Sequence, residues 1–376
     1  MKRLLALLIA VILLVSAGIA ALENHGGSRN DGLYYAATDI HPDARLLQIN
    51  GRDISAEEYL YWLAYDCEYL TSTTKELDWN SEIANGITYA QYAKTDALET
   101  VKLYTVVRQW AEDAGITLSD EDQAQLEAQR QQYVAYYGSE DAYDQQIQLL
   151  GIGKNALDSI NAVYFLYAHV LQQFCTKGSA LYPGDDVLQG FADENGYLTV
   201  KLLYIPTDGL ENQAAIDAQK STAIKYAEEL QKAKDVDAVY DKLAKKLNLE
   251  YPENGLTMTA DDASLDAKLM KALAAMKEGE VSDVISCDNG YYVAIRMPLD
   301  QEAVAADYFE IQLQAARDSA TVGFNEKLYD SIDAGTFYTH LQEQRTALQE
   351  AFDAATETDE GTSSQQPLTN IILPAE

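Results

Sequence analysis

This sequence contains a short apolar hairpin with a tyrosine whose hydroxyl could take part in chemistry. The stretch "GEVSDVISCDNGYYVAIRM" (279–297) predicts strand, turn and strand, because Asp288-Asn289-Gly290 is a strong turn signal between two apolar runs. Alternation along the second strand puts Tyr291 and Tyr292 on opposite faces. One face of such a hairpin often lines a binding cleft. A phenol that points into a cleft is either a working group or the replacement for one.

The elements around this hairpin predict an α+β domain at residues 196–300. Apolar, β-branched runs indicate strands, and apolar residues at helical spacing indicate helices. The predicted elements are, in order, a strand over 197–206, helices over 213–232 and 236–247, a loop over 250–262, a helix over 265–276 and the hairpin. This order is typical of a small antiparallel sheet with surrounding helices.

Helical patterns flank this domain on both sides, over residues 46–195 and 301–355. Two capping signals mark helix starts in the first region, namely Ser55 with Glu58 and Ser119 with Asp122. Because helical regions stand on both sides of the α+β domain, we expect the domain to be an insertion. The flanking helices are then expected to pack together as one unit.

The two ends of the chain have a different composition from the rest. Lys2-Arg3 is followed by an uncharged apolar run, so residues 1–22 are predicted to be a secretory signal or an uncleaved membrane anchor. Residues 23–45 are predicted to be a linker, and residues 356–376 a disordered tail. The protein is therefore expected to work outside the cytoplasm, at the cell surface, either released or held by one N-terminal helix.

Composition limits the classes of partner. The 376 residues carry a net charge of −33, which argues against nucleic acid and anionic membrane surfaces and favours basic partners. Cys67, Cys175 and Cys287 lie far apart without metal-ligand spacing, so a disulfide framework is not expected, although one bridge stays open. There is also no phosphate-binding loop, nucleophile elbow or zinc spacing. We therefore expect no cofactor or metal, and membrane contact only through the N-terminal segment.

Three stretches, in this order, resemble a known family. "INGRDISAEEYLYWL" looks like the opening of the SurA and PrsA class of secreted bacterial foldases, and "AEDAGITLSDEDQAQLEAQ" resembles the middle of the same helical region. "KEGEVSDVISCDNGYYVAIRM" is similar to the C-terminal part of a parvulin-type (PpiC-type) peptidyl-prolyl isomerase domain. The resemblance covers residues 46–320. It implies a SurA_N-like helical chaperone unit with an inserted parvulin-like α+β domain.

The resemblance also implies where the site lies. Parvulin domains catalyse rotation about X-Pro bonds, which are slow to isomerise unaided. They carry paired histidines on the central strands, a Cys or Asp nearby, and an apolar pocket for the proline ring. Carried over by position, the histidines fall on Tyr204 and Tyr292. The pocket positions fall near Leu265 and Leu269, with Met258 of the preceding loop as a further candidate.

The histidines themselves are missing. The four histidines of the chain are His25, His41, His169 and His340, and none lies within 197–300. X-Pro rotation needs no formal proton transfer; it needs the twisted amide held in an apolar pocket with a hydrogen bond. A tyrosine hydroxyl can donate and accept such a bond. The two tyrosines therefore either fill the vacated space or act as a phenol pair.

Three hypotheses about function follow. The first is an extracytoplasmic folding factor that binds unfolded or Pro-containing secreted chains, with weak or absent isomerase activity. The second is a competent peptidyl-prolyl isomerase that uses Tyr204 and Tyr292. The third is a cell-surface binding or structural protein that keeps only the scaffold. The sequence identifies neither the client proteins nor the oligomeric state.

Overall fold

The computed structural model describes residues 32–259 and 265–359. The helices and strands below are labelled in chain order. They are α1 (Leu33–Thr38), β1 (Arg45–Ile49), β2 (Arg52–Ser55), α2 (Ala56–Thr73), β3 (Glu82–Ala84), β4 (Ile87–Thr88), α3 (Tyr89–Asp113), α4 (Asp120–Tyr137), α5 (Glu140–Leu150), α6 (Lys154–Cys175), α7 (Asp185–Asn195), β5 (Tyr197–Pro206), α8 (Gln213–Gln231), α9 (Val236–Leu247), β6 (Leu256–Thr259), α10 (Ala267–Ala275), β7 (Ile285–Cys287), β8 (Gly290–Met297), α11 (Gln301–Asp318), β9 (Val322–Phe324), α12 (Glu326–Tyr329) and α13 (Ala334–Asp359).

The chain divides into two compact units. The helical unit is built from the chain up to Val170 together with the chain from Gln312, and the α+β unit is Leu171–Ile311. The predicted fold class, a helical unit with an inserted α+β domain, is therefore confirmed. The compact α+β unit also includes helical residues on both sides of the predicted 196–300 range, because α7 and α11 share a small core in which Leu188 packs with Val304.

The helical unit brings together segments from the first and last parts of the described chain. Strand β9 pairs antiparallel with β1, which also pairs with β2, in the order β2-β1-β9. Helix α13 packs on α1, α2 and α3. The flanking helices thus form one unit, as predicted. The pattern over 301–355 was expected to be wholly helical, and β9 corrects this, because a three-residue strand is too short to show alternation and depends on its partner.

The two predicted helix caps are present. The Ser55 hydroxyl oxygen accepts from the backbone N–H of Glu58, but the Glu58 carboxylate accepts from Arg108 instead of closing the capping box. Ser119 and Asp122 form a complete capping box at the start of α4. A cap needs only residues of one short segment, which explains why sequence could predict it.

Two predictions about the ends of the chain need correction. The linker predicted over 23–45 is wrong for α1, where Tyr34 is buried and its hydroxyl donates to the carbonyl of Leu150 at 2.7 Å. The tail predicted from residue 356 begins too early, because α13 continues to Asp359. The rest of the predicted tail, residues 360–376, lies outside the described residues.

The N-terminal prediction concerns residues that the structure does not describe. Residues 1–22, predicted to be a signal or an anchor, lie outside the described part of the chain. Among residues 32–259 and 265–359, no helix is both long and apolar enough to cross a membrane.

The α+β unit contains a four-stranded antiparallel sheet in the order β6-β5-β8-β7. Helices α8 and α9 cover one face, on which Tyr291, Val293 and Ile295 are buried, and α10 packs on the face that carries Tyr292 and Ala294. The predicted alternation is thus confirmed. The predicted loop 250–262 is wrong at β6, which pairs with β5 through Val200 and Leu256. This edge strand has only four residues, and its pairing partner is distant in sequence.

Candidate functional site

The two tyrosines predicted from the family histidines lie side by side. Tyr204 on β5 and Tyr292 on β8 are directly opposite in the antiparallel register. Opposite residues of such a pair project from the same face, which brings these rings into contact. The ring centroids are 4.8 Å apart and the rings are nearly parallel, with an interplanar angle of 22°. Tyr292 is only 8% exposed, whereas Tyr204 is partly exposed.

Both hydroxyls contact Asn289, which is in the turn before β8. The Tyr204 hydroxyl donates to the backbone carbonyl of Asn289 at 3.0 Å. The Asn289 side-chain amide donates to the Tyr292 hydroxyl oxygen at 2.9 Å. The Asn289 Oδ1 atom is buried and has no hydrogen-bond partner among the described residues. One turn residue therefore fixes the positions of both phenols.

Gly290 lets the two strands approach closely at this turn. It adopts φ +154°, and a Cβ built there would lie 2.5 Å from the carbonyl oxygen of Ile205 and 3.0 Å from the Tyr204 ring. Only glycine fits so near another backbone. The glycine of the Asn289-Gly290 turn is therefore required for packing as well as for the turn.

The predicted apolar residues lie in the same cluster as the two phenols. Leu269 on α10 is fully buried, while Met258 on β6 and Leu265 before α10 are partly buried. Of these three predicted residues, Met258 and Leu265 therefore keep some exposed surface, and Leu269 does not. The structure brings all the predicted site residues into one cluster. Their roles in binding remain predictions.

Three further residues at this site were not predicted. Tyr251, partly buried, packs against the cluster. Cys287, on β7, is a buried member whose thiol pKa is raised by burial and by Asp266. Asp266 caps α10 by accepting from the backbone N–H of Lys268 at 2.7 Å. The position of Cys287 directly before the Asp-Asn-Gly turn could have suggested it, since the resemblance implies a Cys or Asp nearby.

The phenols of this site stay protonated at neutral pH. Burial raises the pKa of Tyr204, and Tyr292 and Asp208 raise it further. Burial also raises the pKa of Tyr292, although the hydrogen bond from Asn289 lowers it in part. Protonated phenols can donate a hydrogen bond but cannot act as bases. The site is thus equipped to polarise a carbonyl group through a hydrogen bond.

The described residues give no sign of metal chemistry or cross-linking. Among residues 32–259 and 265–359, no group of three His, Cys, Asp or Glu side chains could hold a metal ion. Cys67, Cys175 and Cys287 are free thiols.

Comparison with known proteins gives one family match. Residues 206–296 match the PPIC-type PPIASE domain family. No curated protein matches the chain.

Solved structures that match this chain include PrsA from Bacillus subtilis, at 15% identity over 73% of this chain and 92% of that chain, with a TM-score of 0.26. The foldase protein PrsA from Streptococcus pneumoniae str. Canada MDR_19A matches at 16% identity over 74% and 99%, with a TM-score of 0.21. A structure described under the SurA-like chaperones PEB4 and Cj1289 of Campylobacter jejuni matches at 12% identity over 75% and 98%, with a TM-score of 0.22. The family match, with Tyr292 inside it and Tyr204 two residues before it, identifies residues 206–296 as a PPIC-type peptidyl-prolyl isomerase domain, the parvulin-like domain that the sequence resembles.

Proposed function

We propose that the protein is an extracytoplasmic folding factor that binds unfolded or partly folded secreted chains, with a PPIC-type domain that takes Pro-containing segments. Isomerase activity is weak or absent in this proposal. The observation that carries it is the stacked pair of Tyr204 and Tyr292 beside the apolar residues Met258 and Leu265, within or next to the segment that matches the PPIC-type family.

Binding is supported by the apolar surface and by the hydrogen-bonding groups beside it. A proline ring is apolar, and burying it against Met258 and Leu265 is favourable because apolar area leaves water. The phenols of the same cluster are protonated, and the Tyr292 hydroxyl, which accepts from Asn289, can donate its proton to a peptide carbonyl. The net charge of −33 adds attraction for basic clients.

Weak catalysis is supported by the packing of the same phenols. The Tyr292 ring is buried under its stacked partner, and the hydroxyls of Tyr204 and Tyr292 both contact Asn289. Transition-state stabilisation requires groups that bind the twisted amide better than the planar one. Packing and a turn residue hold both rings in place. The rings can therefore move little when the bound amide changes from planar to twisted.

Location outside the cytoplasm is part of the proposal and is supported by the sequence of residues 1–22. The two forms, released and anchored, differ in whether this segment is removed. The mass of the N-terminal peptide from protein isolated from the producing cell distinguishes them.

Two assays on the full chain test the proposed function. The first measures binding and cis–trans exchange of a peptide with one Leu-Pro bond, and the second measures suppression of aggregation by an unfolded client. We expect peptide binding, a rate near background and suppressed aggregation. The Tyr204→Phe, Tyr292→Phe double variant should weaken peptide binding. Tyr136→Phe, at an exposed tyrosine of the helical unit, is the matched control.

A competent isomerase is the second candidate, because both histidine positions carry groups that can donate hydrogen bonds. It requires an exchange rate well above background that falls in the double variant and survives in Tyr136→Phe. A protein that neither binds the peptide nor suppresses aggregation refutes both candidates and leaves the third hypothesis, a cell-surface binding or structural protein.

A further inference from the structure

The two phenols of the site contact different groups of Asn289. Tyr204 contacts the backbone carbonyl oxygen, whereas Tyr292 contacts the side-chain amide nitrogen. Their rings are stacked and their Cα atoms are paired across β5 and β8, so the backbone does not distinguish them. The distinction comes from which group of Asn289 each hydroxyl meets.

The direction of each hydrogen bond shows whether the tyrosine hydroxyl uses its single proton in that contact. A carbonyl oxygen only accepts, so Tyr204 must donate its proton to Asn289. An amide N–H only donates, so Tyr292 accepts through its oxygen and keeps its own proton unused in this contact. Among the described residues, the Tyr292 hydroxyl makes no further hydrogen bond.

We propose that Asn289 is a positioning residue that commits the Tyr204 proton to the backbone and leaves the Tyr292 hydroxyl as the donor to the carbonyl of a bound X-Pro segment. This inference rests on the proposed function of the domain. It divides the phenol pair into Tyr292, which contacts the ligand, and Tyr204, which supports it by stacking.

The site favours this division in two further ways. The amide of Asn289 lowers the pKa of Tyr292 against the effect of burial, and a more acidic hydroxyl is the better donor. The cluster that holds Tyr292 also has Met258 and Leu265 packed against it, so a proline ring bound on these residues would pack on the same cluster as the Tyr292 ring.

The first test measures the affinity of the full chain for a fluorescently labelled peptide with one Leu-Pro bond. We expect Tyr292→Phe to weaken binding about tenfold, the effect of losing one hydrogen bond, and Tyr204→Phe to change it less than about threefold. Asn289→Asp should match Tyr292→Phe, because a carboxylate only accepts and would accept the hydrogen bond that the Tyr292 hydroxyl otherwise donates to the ligand. Asn85→Asp, the same change in an exposed Asn-Gly turn, is the control.

Equal losses in Tyr204→Phe and Tyr292→Phe would overturn the inference, as would unchanged affinity in Asn289→Asp. A purely structural role predicts equal losses, because both substitutions remove one hydroxyl contact from the same turn.

The second test needs no ligand. Tyrosine labelled with ¹³C at Cζ reports phenol ionisation by NMR, and the signals of Tyr204 and Tyr292 are assigned by their loss in the Phe variants. Asn289→Asp should raise the pKa of Tyr292 more than that of Tyr204, since the donated bond is replaced by an acceptor carrying negative charge. An equal or smaller rise at Tyr292 overturns the inference.

The two tests separate the failure of the inference from that of the proposed function. A wild-type chain that does not bind the peptide refutes the proposed function, and with it the ligand role of Tyr292. The role of Asn289 as a positioning residue is then decided by the titration alone.

Discussion

The chemical properties of Tyr204 and Tyr292 depend on the residues around them. In sequence they stand 88 positions apart, and only the pairing of β5 with β8 brings their rings to 4.8 Å. Burial raises the pKa of both phenols, and Asn289 accepts a hydrogen bond from the Tyr204 hydroxyl while it donates one to the Tyr292 hydroxyl oxygen. The chemistry of the site at the scale of single residues is therefore that of hydrogen-bond donors against an apolar surface.

Gly290 gives a prediction at this scale. Gly290→Ala should lower the free energy of unfolding of the α+β unit by about 2–4 kcal/mol, because a Cβ would lie 2.5 Å from the Ile205 carbonyl oxygen and the strands would have to separate. Urea unfolding followed by circular dichroism measures it. Gly279→Ala is the control, since Gly279 also has positive φ but no atom within 4 Å of its added Cβ, and it should lose about 1 kcal/mol. Equal losses would contradict the steric explanation.

At the scale of elements, the start of α4 is held by a contact between Asp122 and a histidine as well as by its cap. The Asp122 carboxylate accepts from the backbone and hydroxyl of Ser119 and contacts His169 Nε2 on α6, each at 2.7 Å. Burial raises the pKa of Asp122, but these hydrogen bonds outweigh burial and hold it below its ordinary value. A carboxyl group whose pKa is lowered on folding stabilises the fold above its unfolded pKa, about 3.9, and loses this effect as pH falls through the folded value.

Asp122→Asn should therefore lower the free energy of unfolding by about 1 kcal/mol at pH 7, and the difference from wild type should shrink below about pH 4. Urea unfolding followed by tryptophan fluorescence at pH 7 and pH 3 measures both parts. Asp120→Asn, at an exposed residue of the same first turn, serves as control. A difference of the same size at both pH values would show that the carboxylate charge is not responsible.

Helices α2, α3 and α6 meet at Arg108. Its guanidinium pairs with Glu58 of α2 and donates to the carbonyl oxygen of Ser159 on α6, and the Arg108 and Glu58 side chains are 7% and 15% exposed. Arg108→Met should cost about 3 kcal/mol, because it leaves the largely buried carboxylate of Glu58 without its partner. The double variant with Glu58→Gln should lose less, since no charge is then left buried.

Tryptophan fluorescence during urea unfolding measures these losses. Arg45→Met is the control, because Arg45 and Asp53 form an exposed pair worth less than about 1 kcal/mol. A double variant less stable than Arg108→Met would contradict the account based on the unpaired carboxylate.

At the scale of the whole molecule, the helical unit needs both ends of the described chain. Leu341 of α13 is fully buried, and α13 packs on helices from the N-terminal part of the unit. Leu341→Ala should lower the free energy of unfolding of this unit by about 2–5 kcal/mol, through lost burial and the cavity left behind. The three tryptophans, Trp62, Trp79 and Trp110, all lie in this unit, so their fluorescence reports its unfolding.

The control for this prediction is Glu343→Ala, two residues further along the same helix and exposed. It should change the tryptophan-detected stability by less than about 0.5 kcal/mol. If both substitutions had the same effect, the C-terminal helix would contribute through its helical propensity and not through its packed face.

Features that depend on neighbouring residues could be predicted from the sequence alone. The caps at Ser55 and Ser119, the Asp-Asn-Gly turn and the alternation on β8 all follow from segments of a few residues. The resemblance then placed Tyr204, Tyr292 and the apolar positions in one site, and the structure brings them together. The sequence also shows that residues 197–300 contain no histidine.

Features that depend on partners distant in the chain could be seen only in the three-dimensional structure. Strands β6 and β9 are short and exist because β5 and β1 pair with them. The Glu58 carboxylate accepts from Arg108, 50 positions away, and does not close the capping box of its own helix, because a buried guanidinium needs a carboxylate. The contacts of Asn289 with both phenols depend on the strand register, which assigns one hydroxyl proton to the backbone and leaves the other free. The residue types show which groups can donate a hydrogen bond, and the strand register determines which acceptor each of them meets.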